Sequence, residues 1–177
     1  MIQNERDCRH EHVLDVARQM LTAARTAPKG KGIDVIEAAL VTGEDIKKLS
    51  EKMVAMVEEH GMKFFLRDAD NILQAECVII IGTREQTQGL NCGHCGFPTC
   101  AGRPEGVPCA FEYGGCRDSC RFGLCHGCRF EGGYPCHVFC RTCRSAFGLA
   151  ERMQDCLCHS GECILQESIL RPETEGR

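Results

Sequence analysis

Four cysteines, Cys92, Cys95, Cys100 and Cys109, lie within Gly89–Ala110, GLNCGHCGFPTCAGRPEGVPCA, at the spacing C-x2-C-x4-C-x8-C. Thiolates are soft ligands that select iron–sulfur clusters, zinc or Cu(I), and four of them complete a [4Fe–4S] site. The first three are close enough for one loop to wrap a cubic cluster, and the fourth returns after a Gly/Pro-rich turn. Gly89, Gly93 and Gly96 can take the positive φ of a tight wrap and let backbone N–H groups approach cluster sulfurs. Pro98 and Pro108 stiffen the loop. Zinc is the main rival, although structural zinc sites more often use two separated C-x2-C knuckles. A disulfide pair ranks third. His94, between two of the cysteines, reads as an exposed neighbour rather than a ligand.

The chain around this loop has 177 residues and a net charge of −4. That length allows one domain, or one domain with a small appendage. The charge leaves no electrostatic footprint for nucleic acid, and no apolar run reaches membrane-spanning length. The polar start, MIQNERDCRHEH, has no signal-peptide core, so the expected location is the cytoplasm, where cysteines bind metal or catalyse more often than they cross-link.

Several elements must position the loop. Val13, Leu14, Ala17, Met20, Leu21 and Ala24 recur at helical spacing and predict a helix over 10–25. Cys8 and His10 before it read as surface residues. TAPKGKG, Thr26–Gly32, is a loop; a helix is expected over Ile33–Val41, with Arg25, Lys29 and Lys31 around its start. Arg25, Lys29 and Gly30 are therefore candidate contacts for a phosphate, such as that of FMN, set against a plain solvated basic loop. A further helix is expected over 44–60 and stops at Gly61. KFFLR, 63–67, reads as a short strand, followed by a polar connection over 68–76 in which Asp68 and Asp70 read as turn and cap residues. CVIII, Cys77–Ile81, is continuously apolar and predicts a strand buried on both faces, with Cys77 an inert thiol. The fold class is α/β: a small helix-rich N-terminal domain with a short sheet over 1–85, a cluster-binding loop over 86–111, and an irregular or disordered third over 112–177.

The segments LTAARTAPKGKGIDVIEAALVTGED, FFLRDADNI, CVIIIG and GLNCGHCGFPTC…PCAF resemble the DUF2148 family of ferredoxin domain-containing proteins. The resemblance covers roughly residues 10–111 and implies that Cys92, Cys95, Cys100 and Cys109 are [4Fe–4S] ligands. The AARTAPKGKG-type loop is also similar, more weakly, to the flavin-phosphate loop of nitroreductase-like proteins.

Beyond Phe111 the text changes character. Ten of the sixteen cysteines and eight arginines fall in 112–177, and all six lysines precede Phe64. Family members continue with Ala/Val/Gly-rich segments of the type NTVDVGIAVGSA and VDTRVMFSAGLA. Degenerate codons for Gly132–Cys143, begun one base late, permit the second at every position; the same shift from Glu112 permits the first when Ser119 is an AGY codon. An Ala or Val codon preceded by T reads as Cys when begun one base early, which accounts for the composition. The resemblance thus implies one extra base at or near codon 112. The rival reading takes Cys125, Cys128, Cys140 and Cys143 as a zinc ribbon.

Three functions follow. The first is ferredoxin-like electron transfer through a [4Fe–4S] cluster, which calls for a redox partner protein and is compatible with a homo-oligomer. The second is a zinc-binding Cys-rich interaction module. The third is a flavin-dependent, nitroreductase-like reductase using the Arg25–Gly32 loop. No Ser/His/Asp or paired-carboxylate constellation stands out as a catalytic centre. Resequencing the gene tests the frame: one base fewer is expected near codon 112. An undisturbed frame, with the tail residues confirmed by mass spectrometry, overturns the shift.

Overall fold

The structure, a computed structural model, describes residues 2–61, 63–84, 86–131, 136–141 and 163–168. Its elements run α1 (Glu5–Thr26), β1 (Ile36–Thr42), α2 (Glu44–His60), α3 (Phe64–Ile72), β2 (Cys77–Thr83), α4 (Ala110–Glu131), β3 (Cys136–Arg141) and β4 (Cys163–Ser168). The strands form one antiparallel sheet in the order β1-β2-β4-β3. Ile36 pairs with Thr83 and Thr42 with Cys77, which sets the β1–β2 register.

All seven residues of β2 are buried. Successive side chains on a strand point to opposite faces, and here both faces are covered. Val78 and Ile80 pack with Leu49, Met53, Met56, Phe65, Ala69 and Ile72 of α2 and α3. Cys77, Ile79 and Ile81 pack with Val13, Ala17 and Met20 of α1 and with Cys116 and Cys120 of α4. The fold is therefore three-layered, with the sheet between two helical layers. The expected α/β class and the doubly buried strand are found, with Cys77 fully buried.

Helix ends follow local chemistry. The Asn4 side chain accepts the Arg6 N–H at 3.1 Å and caps α1. Gly61, at φ 69°, ends α2 and donates its N–H to the Val57 carbonyl at 2.9 Å. α2 occupies the span read from its apolar stripe.

Three local expectations are corrected. Ile33–Val41 was expected to be helical, yet Ile36–Thr42 is β1. The Asp34 carboxylate accepts the Ile36 N–H at 3.1 Å, a local bond that competes with a helical turn. Pairing with β2 then outweighs the helical propensity of the Glu-Ala-Ala-Leu run. KFFLR was expected to be a strand but begins α3. The deciding period is Phe65, Ala69 and Ile72, all buried, which runs on into the stretch read as a polar connection. Asp68 lies on that helix and is itself buried, paired with Arg67. Finally, the first part of the C-terminal third is helical: α4 packs against α1 through Cys116 and Cys120, one turn apart and buried. Free cysteine behaves as a small hydrophobe, so a stripe built of Cys116 and Cys120 does not stand out as apolar in the sequence. Most of the remaining tail, Cys143 included, lies outside the described residues.

The doubly packed strand gives a direct test. Ile80→Ala is expected to cost about 2–5 kcal/mol of stability in urea unfolding, as for other buried large-to-small changes. Leu66→Ala, at an exposed position of α3, is expected to stay within about 0.5 kcal/mol of the parent. Equal effects at the two positions would contradict the assignment of the core.

Candidate functional site

The loop that carries the cysteines leaves the end of β2 and runs into the start of α4. Its path depends on backbone conformations that side chains resist. Gly93 (φ 72°) and Gly96 (φ 87°) both lie in the left-handed region, as the sequence predicted, and the Gly96 N–H closes a turn on the Gly93 carbonyl at 2.9 Å. Asn91 also has positive φ, at 49°, a conformation asparagine tolerates better than most residues.

Cys92, Cys95, Cys100 and Cys109 all line one small cavity, with Asn91, Phe97 and Arg103 among its other walls. Cys92 is exposed, Cys95 and Cys100 are half-buried, and Cys109 is buried; all four are free thiols. Asn91 and Cys100 clamp the loop across its mouth. The Asn91 N–H donates to Cys100 Sγ at 3.3 Å, and the Cys100 N–H donates to Asn91 Oδ1 at 2.8 Å. A short 3-10 turn, Cys100–Gly102, follows, and its Gly102 N–H is accepted by Thr99 Oγ1 at 3.2 Å.

Cys109 immediately precedes α4, and its carbonyl accepts the Tyr113 N–H at 2.9 Å. Burial pushes its thiol up, but the N–H groups of Gln88, Glu112 and Phe111 outweigh that and hold it below the ordinary thiol range, with the Glu112 carboxylate working against them. A thiol at a helix start, surrounded by N–H donors, is inclined to be a thiolate, the form that ligates metal. Buried Glu112 also ties the loop to α4, since its Oε2 accepts the Gln86 N–H at 3.2 Å.

Among the described residues, no three His, Cys, Asp or Glu side chains are gathered as ligands of a single metal ion. A cubane differs from a single ion in spreading its four cysteines over four separate irons. The donor set fits that cofactor in identity, number and convergence on one cavity. The zinc-ribbon reading fares less well. Cys125 and Cys128 lie within the continuous helix α4 rather than in a knuckle turn, and Cys140 lies on β3.

The second set of predicted residues meets the first. Pro28, Lys29 and Gly30 line a cavity of about 450 Å³ together with His94, Ala110 and Phe111. Ala110 lines the cysteine cavity as well, so the two cavities share a wall. The His94 ring stacks on Phe111 at a centroid distance of 5.5 Å and an interplanar angle of 26°. Neither Phe111 nor the wall at Ala110 was singled out from the sequence; their position just after Cys109 was the available signal.

The basic residues of this loop are engaged differently from what the sequence suggested. Lys29 Nζ donates to the Ala24 and Ala27 carbonyls at 3.3 and 2.8 Å and also to the Arg25 carbonyl. An ammonium has three N–H groups, so all of them serve the C-terminal end of α1, where cations are favoured. Burial pushes the Lys29 ammonium below its ordinary value, Arg25 adds to that, and Asp34 opposes it. Arg25 Nη1 donates to Asp34 Oδ2 at 2.9 Å and to the Ile36 carbonyl. Arg25 and Lys29 thus brace the loop, while Gly30 borders the cavity. Cys8 and His10 join neither site: Cys8 is buried, with its thiol donating to the Asn4 carbonyl, and His10 pairs with Glu76 beside a separate open groove.

No protein-family model matches the chain. A protein of Archaeoglobus fulgidus described as uncharacterized is 42% identical over 102 residues, 57% of this chain and 55% of that one. The chain therefore spans about half the length of this curated relative. Two solved structures superpose on this chain. A nitroreductase-like family protein from Bacillus cereus superposes with a TM-score of 0.52 at 18% identity, over 92% of this chain and 79% of that one. A putative NADH dehydrogenase/NAD(P)H nitroreductase from Bacteroides thetaiotaomicron gives a TM-score of 0.47 at 16% identity, over 92% and 76%. At these identities the Bacillus cereus structure establishes likeness of fold alone. No described helix is long and apolar enough to cross a membrane.

The Arg25–Asp34 pair yields a pH prediction. Burial pushes the Asp34 carboxyl up, but the Arg25 hydrogen bond, the Ile36 N–H and the charges of Arg25 and Lys29 hold it below its ordinary value of 3.8. A lowered carboxyl contributes stability above its unfolded pKa and loses it as pH falls through the folded one. The pair is largely exposed, so Asp34→Asn is expected to cost about 1 kcal/mol or less at neutral pH. In urea titrations the gap to the parent should shrink as pH drops below 3.8; a gap that persists undiminished would refute the linkage.

Proposed function

We propose that the chain is a redox protein of nitroreductase-like fold that holds FMN beside a [4Fe–4S] cluster. The observation that carries this reading is the shared wall: four cysteines line one cavity, and Ala110 separates it from the cavity lined by Gly30, His94 and Phe111. The Bacillus cereus likeness supports the flavin half through fold. The donor set supports the cluster half, as does the resemblance to ferredoxin domain-containing proteins.

When bound, the cluster supplies single-electron transfer and the flavin transfer of one or two electrons. The chain's own residues supply the setting. Cys92, Cys95, Cys100 and Cys109 would hold the cluster, with Cys109 readied as a thiolate by its N–H donors. The Asn91–Cys100 clamp fixes the loop. The Asn91 N–H on Cys100 Sγ is of the kind that tunes cluster potential. Phe111 and His94 offer ring faces to the larger cavity, and Gly30 leaves room there. Lys29 fixes the loop through its three carbonyl contacts, which leaves the backbone at Gly30, on the border of the cavity, to meet a phosphate.

The zinc-binding module is distinguished by colour and content. Protein purified without oxygen is expected to be brown, with iron and acid-labile sulfide in equal amounts, and Cys95→Ser is expected to abolish both. An added β-carbon at Gly30 would meet Gln88 and Phe111 at ordinary contact distances of 3.5 and 3.6 Å. Gly30→Ala should therefore fold normally, and the bulkier Gly30→Leu is expected to lose FMN retention. A colourless protein carrying zinc, or FMN retention unchanged by Gly30→Leu, would contradict the corresponding half of the proposal.

A further inference from the structure

We infer that Arg103 is the electrostatic partner of the cysteine site and raises the reduction potential of the cluster bound there. This rests on the cluster half of the function proposed above. Arg103 lines the same cavity as Cys92, Cys95, Cys100 and Cys109, and its Nε and Nη1 atoms are buried. Its backbone N–H donates to the Cys100 carbonyl at 3.4 Å at the end of the 3-10 turn, which fixes the side chain's origin three residues from a ligand. No lysine lies within Gly89–Ala110, and Arg103 is its one arginine. It is therefore the cation this loop brings to its own cysteines.

The physical argument concerns charge. Cysteines that ligate a cluster do so as thiolates and crowd negative charge into a partly buried space, and the cluster gains one more negative charge on reduction. A guanidinium stays protonated at every accessible pH and presents a planar fork of N–H donors suited to several acceptors. Buried N–H donors facing sulfur stabilise the more negative state more than the less negative one. Net charge and hydrogen bonds to the sulfurs are the protein's means of setting cluster potential. An arginine chosen only to fill space would keep its head in water; here two of the guanidinium nitrogens are buried.

The test uses the full chain, reconstituted without oxygen with iron and sulfide. Parent, Arg103→Met, Arg103→Gln and Arg103→Lys are compared by iron and sulfide content, then by redox titration followed by electron paramagnetic resonance. The expected result is equal iron and sulfide in all four, a midpoint potential lowered in Met and Gln, and a smaller shift in Lys. Equal potentials in parent, Met and Gln at equal cluster content would overturn the inference. If Met fails to load, Gln is judged by the same criterion. If both neutral variants fail while Lys loads, Arg103 serves assembly and the tuning role is overturned. If the parent itself takes up no iron, the functional proposal fails first, at the content measurement, and this inference falls with it.

Discussion

Burial of β2 on both faces is the constraint on which the rest depends. Val78 and Ile80 on one side, and Cys77, Ile79 and Ile81 on the other, hold two helical layers against one strand. Burying side chains of this kind contributes roughly 1.5–3 kcal/mol each, so the strand's position is strongly specified. A slip of one residue would exchange the two sets of side chains between layers. The cysteine loop begins where this strand ends and finishes where α4 begins, so both ends of the loop are anchored in the same core. Cysteine ligands keep a cluster only when the structure around them is firm.

Chemistry at the site is assembled from backbone as much as from side chains. Cys109 is influenced by three N–H groups, and Cys100 by that of Asn91. Lys29, a candidate phosphate contact on sequence grounds, instead satisfies carbonyls at the end of α1, which otherwise lack intrahelical partners. The second cavity is bordered by aromatic rings, small residues, Asp118 and the Lys29 stem, whose ammonium is turned to the end of α1.

Elements with a long or unambiguous apolar pattern were legible in the sequence: α1, α2, β2 and the glycine-dependent bends of the cysteine loop. Short apolar runs were not, because helix and strand readings of five or six residues coincide. Partners elsewhere in the chain decided them, β2 for Ile36–Thr42 and the Phe65–Ala69–Ile72 stripe for α3. The cysteine quartet could be read because its spacing is chemical. The Asn91 clamp, the Gln88 and Glu112 contacts and the Phe111 wall could not, since each depends on residues brought together by folding. α4 was hidden because its buried stripe consists of Cys116 and Cys120. A Cys codon read one base late always specifies Ala or Val, so this helix face stays apolar in either reading frame.

Cys109, Ala110 and Phe111 are consecutive: Cys109 lines the cysteine cavity, Ala110 lines both cavities and Phe111 the larger one. Ala110 and Phe111 ride on the first turn of α4, which Cys109 immediately precedes, and the other end of the helix approaches α1 closely at Gly127; a β-carbon there would lie 2.8 Å from Met20 Sδ. Packed along α1 through Cys116, Cys120 and Gly127, the helix borders both cavities with one turn, so a change in how it lies on α1 reaches both at once.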